Sequence, residues 1–195
     1  MREATFSPDG RTVAFVKDNN LYVTAVASPA ERPLTTDGNA GLLNGVLDWV
    51  YSEELYGRGI HRGYWWSPDS SSLAFIQLDE TQVPEYTLVD DIPYRPAIER
   101  WDYPKAGDPN PTARLGIVST SGDPARWIDT SRYVDFLIVN VGWTPDSLAV
   151  IYQIQDRQQT WLDLNRAERA SGTTSTLLKE TSRTWVERWQ DASAD

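Results

Sequence analysis

A four-residue turn occurs three times in this chain and constrains its fold more than any other feature. Ser7-Pro8-Asp9-Gly10, Ser67-Pro68-Asp69-Ser70 and Thr144-Pro145-Asp146-Ser147 share one pattern. Proline presets φ for the turn, and Asp followed by Gly or Ser suits the positions after it. An aromatic stands before each turn: Phe6, Trp66 and Trp143. A short apolar run follows each: Val13-Ala14-Phe15-Val16, Leu73-Ala74-Phe75-Ile76 and Leu148-Ala149-Val150-Ile151. Each unit therefore reads as strand, turn, strand.

Further strands fill out each unit. The first continues through Leu21 to Val26 and Arg32 to Thr35. The second reads as Gly63 to Trp66, Ser72 to Leu78, Ala113 to Ser119 and Ala125 to Asp129. The third reads as Ile138 to Trp143, Leu148 to Gln155, Thr160 to Leu164 and Ser175 to Lys179. Repeated sets of four antiparallel strands are the signature of propeller blades. The expected fold is all-β: a partial β-propeller of about three four-stranded blades, approximately 4–36, 63–130 and 138–180. The turns begin at residues 7, 67 and 144, intervals of 60 and 77 residues. An ordinary blade takes about 40–50, so insertions are expected at 37–62 and 79–111. Strand parity puts both on the face opposite the three turns, the first between blades and the second between strands two and three. Long loops gathered on one face mark a functional face. In the third turn Leu148 follows Ser147 directly, which predicts a tighter hairpin or a shifted register. Three blades cannot close a ring, and an open ring leaves strands unpaired. The expectation is a segment of a longer protein, or a chain that assembles with its own copies.

Composition removes several classes of function. The chain has 195 residues, 40% hydrophobic and 24% charged, enough to bury a core. Its net charge of -10 opposes binding to a phosphate backbone, so no nucleic-acid partner is expected. There is no cysteine, which excludes disulfides and thiolate metal sites. No apolar run reaches the ~18 residues of a membrane span. Met1-Arg2-Glu3 leads straight into structured-looking sequence with no visible signal peptide, so any export signal would lie outside the chain. No Gly-x-Ser-x-Gly elbow, P-loop or dinucleotide fingerprint occurs. The single histidine, His61, stands in a Gly-bounded loop with no marked serine partner. Asp37-Gly38-Asn39 is too short for a calcium loop and reads as a turn. No catalytic residue, metal site or cofactor is expected in this chain.

The first insertion holds Asp48-Trp49-Val50-Tyr51-Ser52-Glu53-Glu54-Leu55-Tyr56-Gly57. Its large apolar side chains can dock the segment and lower the local dielectric around Glu53 and Glu54. In a strand these neighbours would point to opposite faces. On a helix they lie ~100° apart and can converge. Asp48 is a candidate N-cap and Gly57 a candidate stop, so a short helix is expected from Trp49 to Tyr56. Two partly desolvated carboxylates repel unless a cation sits between them. A metal, an arginine or a substrate ammonium could be that cation. Of the nine tryptophans, Trp66 and Trp143 sit at equivalent strand ends and are expected to pack between blades. Trp101 and Trp127 could face a partner.

Trp49-Val50-Tyr51-x-Glu53-Glu54, followed by Tyr64-Trp65-Trp66-Ser67-Pro68-Asp69, resembles the propeller of the dipeptidyl peptidase IV group within the prolyl oligopeptidase family of serine peptidases. Asp79 to Tyr86, Tyr103 to Pro111 and Gln159 to Asn165 are similar to further signatures of that group, and the resemblance runs from Ser7 to about Val186. It implies an eight-bladed propeller followed by an α/β-hydrolase domain that is absent here. It implies that Glu53 and Glu54 hold the free N-terminal ammonium of a peptide substrate. The parent would then release dipeptides, with proline or alanine second, while this segment gates access and recognises the N-terminus. Without the Ser-Asp-His triad the chain alone should be inactive. The arginine that holds the substrate backbone in that group lies outside the chain, and Ser52 stands where relatives often have a third acidic residue. Partners implied are a peptide with a free N-terminus, the hydrolase domain of the same polypeptide and, in the full-length protein, a second copy. Bacterial members are often periplasmic or secreted. The competing reading is a non-catalytic propeller that serves as an interaction module.

Overall fold

The computed structural model describes residues 1–189. Three antiparallel sheets follow one another along the chain. The first has the order β1 (Arg2–Phe6), β2 (Thr12–Lys17), β3 (Asn20–Ala25), β4 (Ser28–Pro33). In the second, β5 (Leu42–Asn44) and β6 (Tyr64–Trp66) both pair with β7 (Ser72–Asp79). A separate two-stranded hairpin, β8 (Glu85–Asp90) and β9 (Ala97–Asp102), comes next in the chain. β10 (Thr112–Ser119) and β11 (Arg126–Trp127) then complete the second sheet. The third sheet has the order β12 (Phe136–Trp143), β13 (Ala149–Asp156), β14 (Trp161–Glu168), β15 (Thr174–Thr181). These are three blades of a partial propeller. No helix among the described residues is long and apolar enough to cross a membrane.

Burial follows position in the stack. Leu73, Ala74, Phe75, Ile76 and Leu78 of β7 are fully buried, because the middle blade is covered on both faces. The outermost strands β4 and β15 are almost wholly exposed. The tryptophans before the turns join successive blades, as the sequence suggests. Trp66 Nε1 donates to Thr5 Oγ1 of the first blade (3.2 Å), and Trp143 Nε1 donates to the Trp65 carbonyl of the second (3.0 Å). Phe6, the equivalent residue of the first blade, is 65% exposed. A second stitch links the turns themselves. The Asp9 N–H donates to Ser70 Oγ (3.1 Å) and the Asp69 N–H to Ser147 Oγ (3.0 Å).

Three expectations change. The third turn is neither tighter nor shifted. Ser7, Ser67 and Thr144 each close the same loop, donating to the carbonyls of Thr12, Ser72 and Ala149 at 2.7, 2.9 and 2.9 Å. Leu148 occupies the turn position of Arg11 and Ser71 and is 59% exposed, so an apolar residue in a turn imitated the start of a strand. Strand pairing also moves the first insertion. It does not lie between blades but interrupts the first strand of the second blade, between β5 and β6 along one edge of β7. Where a short helix is expected from Trp49 to Tyr56, the chain forms a single π-helical turn, Val50–Leu55, closed by the Tyr56 N–H donating to the Tyr51 carbonyl (2.8 Å).

Candidate functional site: an acidic cleft beneath a helical turn

Two glycines make the excursion possible. The Gly45 N–H donates to the Ile76 carbonyl (2.9 Å), the Ile76 N–H donates to Gly63 (2.8 Å), and the Gly63 N–H donates to Gly45 (3.0 Å). Gly45 has φ +70°, which a side chain would strain. A Cβ on Gly63 would meet Leu47 Cδ2 at 2.9 Å and the Gly45 backbone at 3.2 Å. The Leu47 N–H donates to the His61 carbonyl (2.7 Å) and extends this neck.

Beyond the neck, Asp48 starts the turn. Its carboxylate accepts from the N–H groups of Tyr51 (2.9 Å) and Val50 (3.2 Å), satisfying donors that a helix start leaves free. Two tyrosines then fasten the turn to the third blade. Tyr51 Oη accepts from the Ile138 N–H and Tyr56 Oη donates to the Ile138 carbonyl, both at 3.2 Å. Burial raises the pKa of both phenols, so they remain neutral donors and acceptors. Val50, Tyr51, Ser52 and Leu55 are buried. Glu53 and Glu54 are thereby left on the open side of a rigidly held turn.

The side chain of Glu53 is 29% exposed, and Arg58 Nε lies 3.4 Å from it; Glu54 is exposed. A π-turn is wider than an α-turn, so neighbours are closer in angle than ~100° and can face one ligand. Of the three cations the sequence allows, an arginine therefore stands beside one member of the pair. It is itself 91% exposed and weakly held.

Glu53 lines a cleft of about 480 Å³ whose wall also includes Asp48, Glu80 and Asp102. Asp48 is 6% exposed and Glu80 8%. Burial raises the pKa of Asp48 against the pull of its two backbone N–H partners. Burial, with the charges of Asp48 and Asp102, pushes Glu80 up to about 8. His61 lines the same cleft, as does Ser52. Ser52 Oγ donates to the Trp49 carbonyl (3.4 Å) and Asp48 is occupied by backbone donors, so neither is arranged as a triad with His61. Among the described residues no group of three or more His, Asp or Glu side chains could hold a metal ion.

Sequence reasoning did not anticipate Glu80, Arg100 or Asp102 in this cleft. Glu80 reads as an ordinary charge after a strand; its backbone is tied to Gly41 and it shares the cleft wall with β9, and neither is local in the chain. The β8–β9 hairpin was also missed, although Glu85-Tyr86-Thr87-Leu88-Val89 has strand composition. Trp101 lies on β9 and is 56% exposed. Trp127 instead packs on Phe75, with ring centroids 5.4 Å apart, under the Arg114 guanidinium at 3.9 Å.

Comparison with known proteins agrees with this architecture. The family model described as the dipeptidyl peptidase IV N-terminal region matches residues 1–194. Dipeptidyl aminopeptidase B of Saccharomyces cerevisiae is 33% identical over 188 residues, covering 92% of this chain and 22% of the yeast protein. The crystal structure of Porphyromonas gingivalis dipeptidyl peptidase 4 superposes with a TM-score of 0.85 at 31% identity, covering 94% of this chain and 26% of that one. The chain thus spans about a quarter or less of the length of these relatives. It belongs to the dipeptidyl peptidase IV N-terminal region family.

Proposed function

We propose that this chain is the substrate-gating and N-terminus-recognising part of a serine dipeptidyl peptidase, with Glu53 and Glu54 holding the free ammonium of a peptide. The observation that carries the reading is the placement of two adjacent carboxylates on a turn that Asp48, Tyr51 and Tyr56 hold fixed. An ammonium between them would relieve their repulsion and make charge-assisted hydrogen bonds. Arg58, exposed and loosely paired with Glu53, is readily displaced by it. Catalysis would come from a hydrolase domain of the same polypeptide, and release of dipeptides with proline or alanine second belongs to that whole protein. A homodimer of the full-length protein is part of the proposal; the exposed Val89, Ile92, Tyr94 and Ile98 on and between β8 and β9 support it.

The test replaces Glu53 or Glu54 by Gln in the full-length polypeptide. Gln keeps the shape and removes the charge. Loss of one charge-assisted contact should cost about 1.5–3 kcal/mol, roughly ten- to a hundredfold in kcat/KM. An N-blocked substrate should hardly respond. Parent-like cleavage of free-N-terminus substrates by both variants would reduce the pair to surface charge. A natural gene with no hydrolase domain downstream would instead favour the interaction-module reading.

A further inference from the structure

The acidic cleft extends past the glutamate pair, and its wall carries a largely buried glutamate whose carboxyl faces the cleft without a hydrogen-bond or ion-pair partner among the described residues. Glu80 directly follows β7. Its N–H donates to the Gly41 carbonyl and its own carbonyl accepts from the Val83 N–H, both at 2.8 Å, so its backbone is fixed. The residue is 8% exposed. Among the described residues its carboxyl makes neither a hydrogen bond nor an ion pair, although it lines the cleft. Its oxygens open to the cleft rather than being sealed in the core, so a ligand that enters the cleft can reach them.

Every charged neighbour in the cleft can be named. Asp48 and Glu53 come from the helical turn, Asp102 and Arg100 from β9, Arg2 from β1 and His61 from the neck. Arg100 pairs with Glu85 at 3.2 Å; Arg2 donates to the neutral Asn19 side chain, and its charge opposes the rise of the Glu80 pKa without cancelling it, so four carboxyls in the wall face two guanidinium groups. The cleft is therefore short of cations. A metal is not the answer, because no three donors are grouped to hold one among the described residues. A cation carried on a stem suits the shape better, since about 480 Å³ is more than an ammonium alone requires.

We propose that Glu80 is the anchor of a subsite for a cationic side chain on a peptide's first residue, lysine in the simplest case. This rests on the ammonium reading given above. Glu53 belongs to both places, so an α-ammonium held at the pair would start the side chain at the mouth of the cleft. Lysine's apolar stem would pass Leu47 and Trp49, and its compact charge would meet Glu80. In the empty cleft, burial and the charges of Asp48 and Asp102 outweigh Arg2 and push the Glu80 carboxyl up to about 8, which favours its neutral form at pH 7. When the side-chain ammonium enters, the carboxyl O–H bond breaks, the proton leaves to solvent, and a carboxylate–ammonium pair remains. The sign follows from linkage. Below the raised value the ligand meets a neutral acid, and above it a full charge, so preference for lysine rises with pH across the neutral range.

Two measurements on the full-length protein test this. The first is the ratio of kcat/KM for Lys-Pro over norleucine-Pro chromogenic substrates from pH 6 to 9. Norleucine keeps the stem without the charge, and the α-ammonium titrates alike in both substrates, so its effect leaves the ratio. The ratio should rise about tenfold in the parent and stay flat in Glu80→Gln. Gln resembles the protonated carboxyl, so the variant should fold, and thermal melting at pH 6 checks that it does. The second uses n-butylammonium as the probe, by calorimetry at pH 7 in two buffers of different ionisation heat. The parent should release protons on binding the cation, and Glu80→Gln none. A ratio that ignores pH, or one that Glu80→Gln leaves unchanged, would overturn the proposal. Proton release that survives in the variant would assign the titration to Asp48 or Asp102 and also overturn it. Failure of the ammonium reading looks different: Glu53→Gln and Glu54→Gln would then be silent on both substrates.

Discussion

The carboxylate of Asp48 is buried, yet it does not lack partners. It accepts two backbone N–H groups at the start of the helical turn, and those bonds offset part of the desolvation that raises its pKa. Asp48→Ala should cost about 0.5–2 kcal/mol, the usual range for a lost cap. Asp48→Asn keeps an acceptor oxygen and removes a buried charge, so it should cost less. Urea midpoints of the full-length variants check the order, and kcat/KM should fall further in the Ala variant as the glutamates lose their fixed turn. Equal losses for Ala and Asn would mean that the charge, not the cap, is what Asp48 supplies. This residue was legible in the sequence because capping is local: Asp before an apolar run is readable without a structure. Glu80 was not legible. Its burial comes from Gly41 and β9, distant in the chain, and no local pattern announces that.

At the scale of elements, the repeated turn does more than reverse the chain. Ser70 and Ser147 have φ +63° and +61°, where Gly10 has +71°. Serine bears that left-handed conformation while its hydroxyl accepts a hydrogen bond from the preceding blade's turn. Two effects of Ser70→Ala add: the stitch is lost and the backbone strain stays. It should destabilise by about 0.5–1.5 kcal/mol. Ser70→Gly also loses the stitch but relieves the strain, so it should be milder than Ala. Melting temperatures of the two variants decide, and an Ala variant as stable as the Gly variant would remove the strain from the account. Repetition made these strands readable: three copies of one turn located six strands. The exception at Leu148 had a physical cause, an apolar side chain left exposed in a turn position. The glutamate-bearing insertion was found but set one step early. β5 is only Leu42–Asn44, too short to announce itself, and only its pairing with Leu78 and Gln77 reveals a strand cut in two.

For the whole molecule, the two ends of the stack differ from its middle. Blade two is buried on both faces, whereas Phe6 is 65% exposed on the first blade, and Leu177, Leu178 and Trp185 are 52%, 52% and 66% exposed on or after the last. The stitches also stop at the ends. Gly10 has no hydroxyl to accept from an earlier turn, and the Asp146 N–H has no later serine among the described residues to donate to. Blade-to-blade burial is the main apolar gain in such a stack, and roughly 25 cal/mol is lost for each Å² of apolar surface left wet. Each terminal blade of the isolated 195-residue chain keeps one such face open. The chain alone should therefore self-associate through these faces and melt broadly, with the terminal blades loosening before the middle one. Sedimentation velocity across a concentration series should show oligomers that grow with loading. Hydrogen exchange should protect β7 and β10 most and β4 and β15 least. Joining the chain to blades that cover both faces should sharpen the melt and restore a single species. A clean monomer with one sharp, probe-independent transition would show that three blades suffice, and that the exposed end faces need no partner.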